Sequence, residues 1–220
     1  MKPEARSNGI AMNNDPGTRC FRAGRPAGFT LVELMVTIVV LAVLAAIALP
    51  NFRSLIQRNA VSTQVNGLLA ALQYARSEAI TTRSFVSLCA RKPTANGADN
   101  ECVPGNRTLD GGWLVYTTTA ADRGKVFDAS NAGQRLLQTS GMPDNVSMRA
   151  GSPRIPTFDA RGELNGDWSV RICAKSPSDD EVGENTKSVP GRMVTISASG
   201  RAFSSVLPPD DPCEEPMMGI

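Results

Sequence analysis

The stretch from Gly28 to Phe52, GFTLVELMVTIVVLAVLAAIALPNF, decides the fold of this chain and most of its functional interpretation. From Phe29 to Leu49 it contains 21 consecutive residues, of which Glu33 alone is charged. A run of about 20 apolar residues is long enough to cross the hydrocarbon core of a bilayer as a helix. A carboxylate within such a helix costs about 2.5–3.5 kcal/mol at the centre and less near an end. We therefore expect a membrane helix whose Glu33 needs a partner charge from outside that helix.

The two sides of this run differ in charge. Residues 1–28 contain five basic and two acidic side chains, a net charge of +3, so the remainder carries −1 because the whole chain carries +2. A basic flank stays on the cytoplasmic side of a membrane helix. We expect residues 1–28 to be a basic leader that is removed, with Met1 or Met12 as the true start, and the chain after Leu49 to be exported.

Cysteine usage agrees with export. Cys20 lies in the basic flank, and four cysteines follow the apolar run: Cys89, Cys102, Cys173 and Cys213. An even number in an exported region predicts two disulfides, for which three pairings are formally possible. We favour Cys89–Cys102, which closes a short loop, together with Cys173–Cys213, which would hold a loose C-terminal tail.

The composition limits the possible catalytic chemistry. The chain contains no histidine, which excludes a histidine general base, a histidine-containing triad and histidine-ligated metal. Acidic residues gather in a loop, 176–190, and in the tail, 208–220, but neither group has an ordered spacing of calcium ligands. We predict no enzymatic activity, no cofactor and no metal site.

The apolar pattern predicts that the helix continues beyond the membrane run. Spacings of three and four residues place one apolar stripe along a helix to about Thr82. The stripe comprises Phe52, Leu55, Ile56, Val65, Leu68, Leu69, Leu72, Ala75, Ala79 and Ile80. Pro50 lies inside this pattern and predicts a kink or a locally unwound turn. The predicted organisation is therefore a membrane and assembly helix at 29–49, an amphipathic second half at 50–83 and a β-rich domain at 84–220.

From Ser84 onward the pattern changes to short strands separated by turn residues. The candidates are Ser84–Ala90, Gly112–Thr118, Arg135–Ser140, Asn145–Ala150, Arg154–Phe158, Trp168–Ala174, Met193–Ala198 and Ala202–Leu207. A long helix followed by antiparallel strands is an α+β fold, with the helix packed on an antiparallel sheet. Trp113 and Trp168 lie in strand candidates, so we expect both in the core.

Two simpler interpretations of the N-terminal run explain less of it. A secretory signal peptide cut after Ala46-Ile47-Ala48 would have a shorter apolar region and no acid, and its helical pattern would not continue past the cut. A plain single-pass anchor explains the length and the orientation but not Gly28-Phe29 or Glu33.

The string from Gly28 to Leu34, between a basic leader and a long apolar helix with Pro50, closely resembles the signal of type IV pilins and type II secretion pseudopilins. The resemblance implies that prepilin peptidase cuts after Gly28 and N-methylates Phe29. It also implies insertion in the bacterial inner membrane with a periplasmic C-terminal domain. The freed α-amino group of Phe29 in one subunit would neutralise Glu33 of its neighbour. By the same resemblance, Glu33 and Pro50 are both assembly residues.

Later strings resemble the GspH/FimT/FimU family: Leu72–Ile80 with Val86–Cys89, Gly112–Val115, Thr157–Gly162, and Val194–Ile196 before Gly200-Arg201. The resemblance implies a minor subunit that helps to initiate or cap a type IV pilus or a type II secretion pseudopilus. Its partners would be prepilin peptidase, other minor and major pilins or pseudopilins, the inner-membrane assembly platform, and membrane lipid before assembly. Taken alone, Arg76 and Glu78 are expected to be solvated helix residues.

The alternative function that the resemblance offers is DNA binding during uptake. Some family members bind DNA through a GRxR element, whereas this chain has Gly200-Arg201-Ala202-Phe203 and lacks the second arginine. The candidate DNA contacts are Arg201 and Arg192. Affinity for DNA grows with the number of phosphates that are neutralised, so one arginine in this element provides little.

Overall fold

The structure is a computed structural model, and it describes residues 28–93, 100–103, 105, 107–176 and 182–214, with the side chains of 49–51 left out. Of these described residues, those up to Ala45 form one compact unit and those from Ala46 onward form another. The leader before Gly28, Cys20, part of the acidic loop and the last six residues lie outside this description.

A single helix, α1, runs from Leu31 to Thr82. At its start the backbone N–H of Glu33 donates a hydrogen bond to Oγ1 of Thr30 (3.2 Å), the geometry of an N-cap. At its end Arg83 adopts a φ of 50° and the N–H of Ser84 bonds to the carbonyl of Ala79 (3.2 Å), which is a Schellman-type stop. The helix is continuous across Pro50, so the structure has no unwound turn there.

The remainder of the described chain folds into eight antiparallel strands in two sheets. They are β1 (Phe85–Ala90), β2 (Trp113–Thr118), β3 (Arg135–Thr139), β4 (Val146–Ala150), β5 (Thr157–Phe158), β6 (Trp168–Ala174), β7 (Arg192–Ile196) and β8 (Ala202–Val206). One sheet has the order β3-β2-β1-β5 and the other has the order β4-β6-β7-β8. The α+β prediction is confirmed, with two sheets where the sequence pattern suggested one.

The predicted strands agree with the observed ones within two residues at each end, with one exception. Arg154–Phe158 contributes only the two residues of β5. Pro153 and Pro156 explain the short strand, because proline has no backbone N–H to donate to a sheet ladder.

The apolar stripe of α1 packs into the core of the second unit, but it begins later than the sequence predicted. Its buried residues are Val61, Val65, Leu68, Leu72, Ala75 and Ala79, and they form one cluster with residues of both sheets. In contrast, Phe52, Leu55 and Ile56 are 52–60% exposed. The predicted burial of these three side chains against the domain is therefore wrong. Trp113 and Trp168 are buried in the same cluster, as expected.

Two disulfides hold the long loops of the β-rich unit. Cys89 in β1 bonds to Cys102, and Cys173 in β6 bonds to Cys213 near the end of the described chain. These are the two pairings that we favoured from the sequence among the three possible ones. Cys173 and Cys213 form a small apolar cluster with Leu207, so the C-terminal segment is packed and not loose up to Cys213.

Candidate processing and assembly site

The candidate cleavage site, Gly28-Phe29, is open to solvent. An added Cβ at Gly28 would meet no atom within 4 Å, and Phe29 is 82% exposed. Because both residues precede Leu31, the bond between them lies outside the first turn of α1. A protease could therefore reach this bond without unwinding the helix.

Glu33 occupies the third position of the helix. Thr30-Leu31-Val32-Glu33 matches the Ser/Thr-x-x-Glu pattern of a capping box. The structure shows one half of that motif, the bond from the Glu33 N–H to Thr30. The carboxylate accepts no hydrogen bond and forms no ion pair within the described part of the chain. Its position in the first turn favours a negative charge through the helix dipole.

The surface of α1 around Glu33 is apolar and uncovered. An 18-residue window of the helix has a mean hydropathy of 2.8, and the residues that the structure describes bury none of it. Its large side chains are each more than half exposed: Phe29, Leu31, Val32, Leu34, Met35, Val36, Ile38, Val39, Val40, Leu41, Val43, Leu44 and Ile47. A surface of this size is stable only in lipid or against other helices. Pro50 follows it, and the role of Pro50 in assembly stays a prediction.

The second family-like string, around Arg76 and Glu78, forms contacts that sequence reasoning missed. The Nη2 of Arg76 donates to the carbonyl of Ser199 (3.2 Å) in the β7–β8 turn, and Glu78 pairs with Arg135 of β3 (3.7 Å). Both side chains are half-buried. The expectation that they are only solvated helix residues is therefore wrong, because together they connect α1 to both sheets.

Gly162 and Gly200 allow two turns to meet beside Arg76. Both have a positive φ, 76° and 77°. A Cβ on Gly200 would lie 2.0 Å from the carbonyl oxygen of Gly162 and 3.0 Å from Nε of Arg76. The N–H of Leu164 also bonds to the carbonyl of Ala198 (2.7 Å) across the same contact. The Gly200-Arg201 step is thus part of a structural junction between two turns and the helix.

The turn that carries Gly162 is organised by Asp159. Its Oδ1 accepts hydrogen bonds from the N–H groups of Arg161 (2.9 Å) and Glu163 (3.0 Å), and the Arg161 guanidinium pairs with Oδ2 (3.2 Å). Burial of the Asp159 carboxylate raises its pKa, but these hydrogen bonds outweigh burial and hold the pKa below its ordinary value.

The candidate DNA contacts, Arg201 and Arg192, do not come together. In the β7–β8 ladder, Arg192 pairs with Val206 at one end and Ile196 pairs with Ala202, next to Arg201, at the other. Four residues of strand separate the two ends, about 13 Å at the usual rise. Arg201 is exposed, and Arg192 is half-buried beside the helix. The two arginines therefore do not form one phosphate-binding patch.

Comparison with known proteins gives two matching families. The family described as type II transport protein GspH matches residues 64–200, and the prokaryotic N-terminal methylation motif matches residues 24–49. Two curated fimbrial proteins of Pseudomonas aeruginosa are each 34% identical over 67 residues, 30% of this chain and 44% of theirs. The match therefore spans less than half the length of these relatives.

Two types of solved structure are similar to this chain. The type IV minor pilin FimU of Pseudomonas aeruginosa is 22% identical, with 69% of this chain and 90% of that chain covered and a TM-score of 0.44. The minor pseudopilin EpsH from the type 2 secretion system of Vibrio cholerae is 13% identical, with 69% and 98% covered and a TM-score of 0.36.

Proposed function

The chain belongs to the GspH family of minor pilins and pseudopilins, which are structural subunits and not enzymes, and we propose that it is a precursor that enters a filament through α1. Prepilin peptidase cuts the chain after Gly28 and methylates the new N-terminus at Phe29. The subunit then helps to initiate or cap a type IV pilus or a type II secretion pseudopilus, together with other minor and major subunits and the inner-membrane assembly platform.

The observation that carries this proposal is the carboxylate of Glu33, which has no partner among the described residues and stands at the start of an apolar helix that those residues leave uncovered. Cutting after Gly28 converts the peptide nitrogen of Phe29 into a cation. When helices pack side by side in a filament, the Phe29 amine of one subunit can pair with Glu33 of the next. The pair removes the cost of an isolated charge in an apolar environment, and it fixes the axial register of the two helices.

The apolar helix and the basic leader also support a location for the subunit before it enters a filament. The uncovered helix lies in the inner membrane, with lipid around residues 29–49. The basic leader stays on the cytoplasmic side, and residues 84–220 lie in the periplasm, where the two disulfides are stable. We do not propose DNA binding, because the structure does not bring Arg201 and Arg192 together.

Substitution of Gly28 by tryptophan tests the processing step. Because a Cβ at Gly28 meets nothing within 4 Å and Gly28 precedes α1, we expect the fold to be unchanged and the effect to fall on the peptidase. We expect the Gly28→Trp chain to accumulate uncut in the membrane and to be absent from sheared filaments. The matched control is Gly141→Trp, which adds the same side chain at another open position without a positive φ, in the β-rich unit, and should leave cleavage unchanged. Normal cleavage of Gly28→Trp would refute the proposed site.

A further inference from the structure

A basic cavity lies between α1 and the segment that leads into β7. Its volume is about 390 Å³, and its walls are Arg58, Val61 and Ser62 of the helix with Lys187, Pro190 and Arg192 of the other segment. The guanidinium of Arg58 donates from Nε to the carbonyl of Ser188, so this side chain is held at the mouth of the cavity. The cavity is therefore formed by two elements joined by a defined contact.

The charges of this cavity, which we call the basic pocket, have no carboxylate partner among the residues that the structure describes. Its lining contains three cations and no carboxylate, and neither Lys187 nor Arg192 forms an ion pair within the described part of the chain. Some cations elsewhere on the same unit do have carboxylate partners. Asp110, for example, pairs with Arg149 at 2.6 Å and with Lys175 at 2.9 Å. Three cations without a carboxylate around one concavity produce a positive potential that favours a bound anion.

The position of the basic pocket along α1 indicates which anion it meets. Phe52, Leu55 and Ile56 form an exposed apolar surface on α1, with the exposed Arg53 among them. Arg58 follows two residues after Ile56, a rise of about 3 Å. Helical side chains also tilt toward the N-terminus, which directs Arg58 back toward this apolar surface. If the apolar surface lies in lipid, the basic pocket lies at the level of the headgroups.

We infer that the basic pocket binds the phosphate of an anionic phospholipid headgroup in the periplasmic leaflet while the subunit is still in the membrane. This inference rests on the proposed function, because it requires α1 to be embedded with its β-rich unit outside the cytoplasm. Planar guanidinium groups of Arg58 and Arg192 suit a phosphate, and Lys187 adds a third donor group. A zwitterionic headgroup presents its own ammonium to the same three cations and should bind less well.

A duplex DNA ligand fits the basic pocket poorly. DNA affinity comes from many phosphates neutralised along a surface, whereas this concavity accommodates the contacts of one phosphate. Arg201, the other candidate DNA contact, lies at the far end of the β7–β8 ladder from Arg192. The position beside an exposed apolar helix surface therefore favours lipid over nucleic acid.

Native mass spectrometry of the full-length chain in a neutral detergent tests the inference. The chain is titrated with phosphatidylglycerol and, separately, with phosphatidylcholine, inorganic phosphate and a short duplex DNA. We expect saturable binding of one phosphatidylglycerol, with weaker binding of the other three. Arg58→Gln and Arg192→Gln should each weaken phosphatidylglycerol binding by about tenfold or more, because each removes a hydrogen-bond donor to a charged phosphate.

The matched control is Arg53→Gln, which removes a cation from the same exposed part of the helix but outside the basic pocket. It should change binding by less than about twofold, because diffuse attraction between charges in water is weak. An equal loss in Arg53→Gln and Arg192→Gln would overturn the inference, because it would mean diffuse attraction. Equal binding of phosphatidylcholine, of inorganic phosphate or of DNA would also overturn it.

These outcomes are separable from failure of the proposed function. Membrane fractions of the same cells are washed with alkaline carbonate, and the N-terminus of the chain is determined. A chain that is embedded and cut after Gly28 but binds no phosphatidylglycerol refutes the basic pocket alone. A chain that is released by carbonate refutes the proposed function itself.

Discussion

Substitution of Gly200 by alanine tests whether the Gly200-Arg201 turn is a structural junction. Gly200 has a φ of 77° and Gly124 has a φ of 78°. A left-handed conformation costs an alanine about 1–2 kcal/mol, so this strain is the same at both positions. The surroundings differ: a Cβ at Gly124 meets nothing within 4 Å, whereas a Cβ at Gly200 lies 2.0 Å from the Gly162 carbonyl oxygen. Gly124→Ala is therefore a matched control: it has the same backbone strain from a positive φ, but its Cβ does not clash with another atom.

The additional cost at Gly200 comes from moving two backbone segments apart. The clashing atom belongs to the main chain, so no side-chain rotation relieves it. Separation of the turns weakens the bond from Leu164 N–H to Ala198 (2.7 Å) and the bond from Arg76 to Ser199 (3.2 Å). Overpacking of this kind costs about 1–3 kcal/mol. We therefore expect a loss of about 2–5 kcal/mol for Gly200→Ala, against about 1–2 kcal/mol for Gly124→Ala.

Urea unfolding of the full-length chain in a neutral detergent measures this difference. The fluorescence of Trp113 and Trp168, both buried in the core, reports the loss of packing. The unfolding midpoint of Gly200→Ala should be clearly below that of Gly124→Ala at an unchanged slope. Equal midpoints for the two variants would refute the close approach of the two turns.

Three further predictions concern the assembly residue, the disulfides and the Asp159 turn. Glu33→Gln should be cut after Gly28 as efficiently as the native chain. It should be depleted in sheared filaments, measured by immunoblot, because an amide cannot neutralise a neighbouring amine. Native levels of the variant in filaments would contradict the pairing of Glu33 with that amine. The double change of Cys173 and Cys213 to serine opens a loop of 40 residues and should lower the free energy of unfolding by about 4 kcal/mol. A loss below about 1 kcal/mol, measured by urea unfolding, would contradict the stabilising role of this disulfide. The lowered pKa of Asp159 stabilises the folded state above the ordinary carboxyl pKa near 3.8, and this contribution is lost as pH falls through the lower folded value. The urea midpoint should therefore drop less between pH 6 and pH 3 in Asp159→Asn than in the native chain. An equal drop in both would contradict a stabilising contribution from the Asp159 carboxylate.

Local sequence patterns predicted most of the fold because they act over short distances. The spacing of Val65, Leu68, Leu72 and Ala75 fixes one face of a helix, and alternating side chains bounded by glycine and proline mark the strands. The cysteine pairing was a preference among three possibilities, based on one short loop and on a C-terminal tail that needed to be held. Gly28, Phe29 and Glu33 also lie within six residues of each other, so this short segment alone is enough to identify the candidate processing site.

Features that join distant parts of the chain could not be predicted in this way. Arg76 contacts Ser199 across 123 residues, and Arg58 contacts Ser188 across 130. The spacing of side chains along the sequence does not show which distant residues will meet. The junction at Gly200 and the basic pocket therefore became visible only in the folded structure. The exposure of Phe52 and Ile56 was missed for a related reason. A helical stripe shows which residues share a face, but not where along the helix the sheets begin to cover it.

The N-terminus of the chain recovered from filaments tests the central claim most directly. Filaments or pseudopili are sheared from cells that express the native chain, and the N-terminal peptide of this subunit is identified by mass spectrometry. We predict a peptide that begins at Phe29 and carries one methyl group on its α-amino nitrogen. A peptide that begins after Ala48, or one that retains residues before Phe29, would contradict cleavage after Gly28 and the pairing of Glu33 with the amine that this cleavage creates.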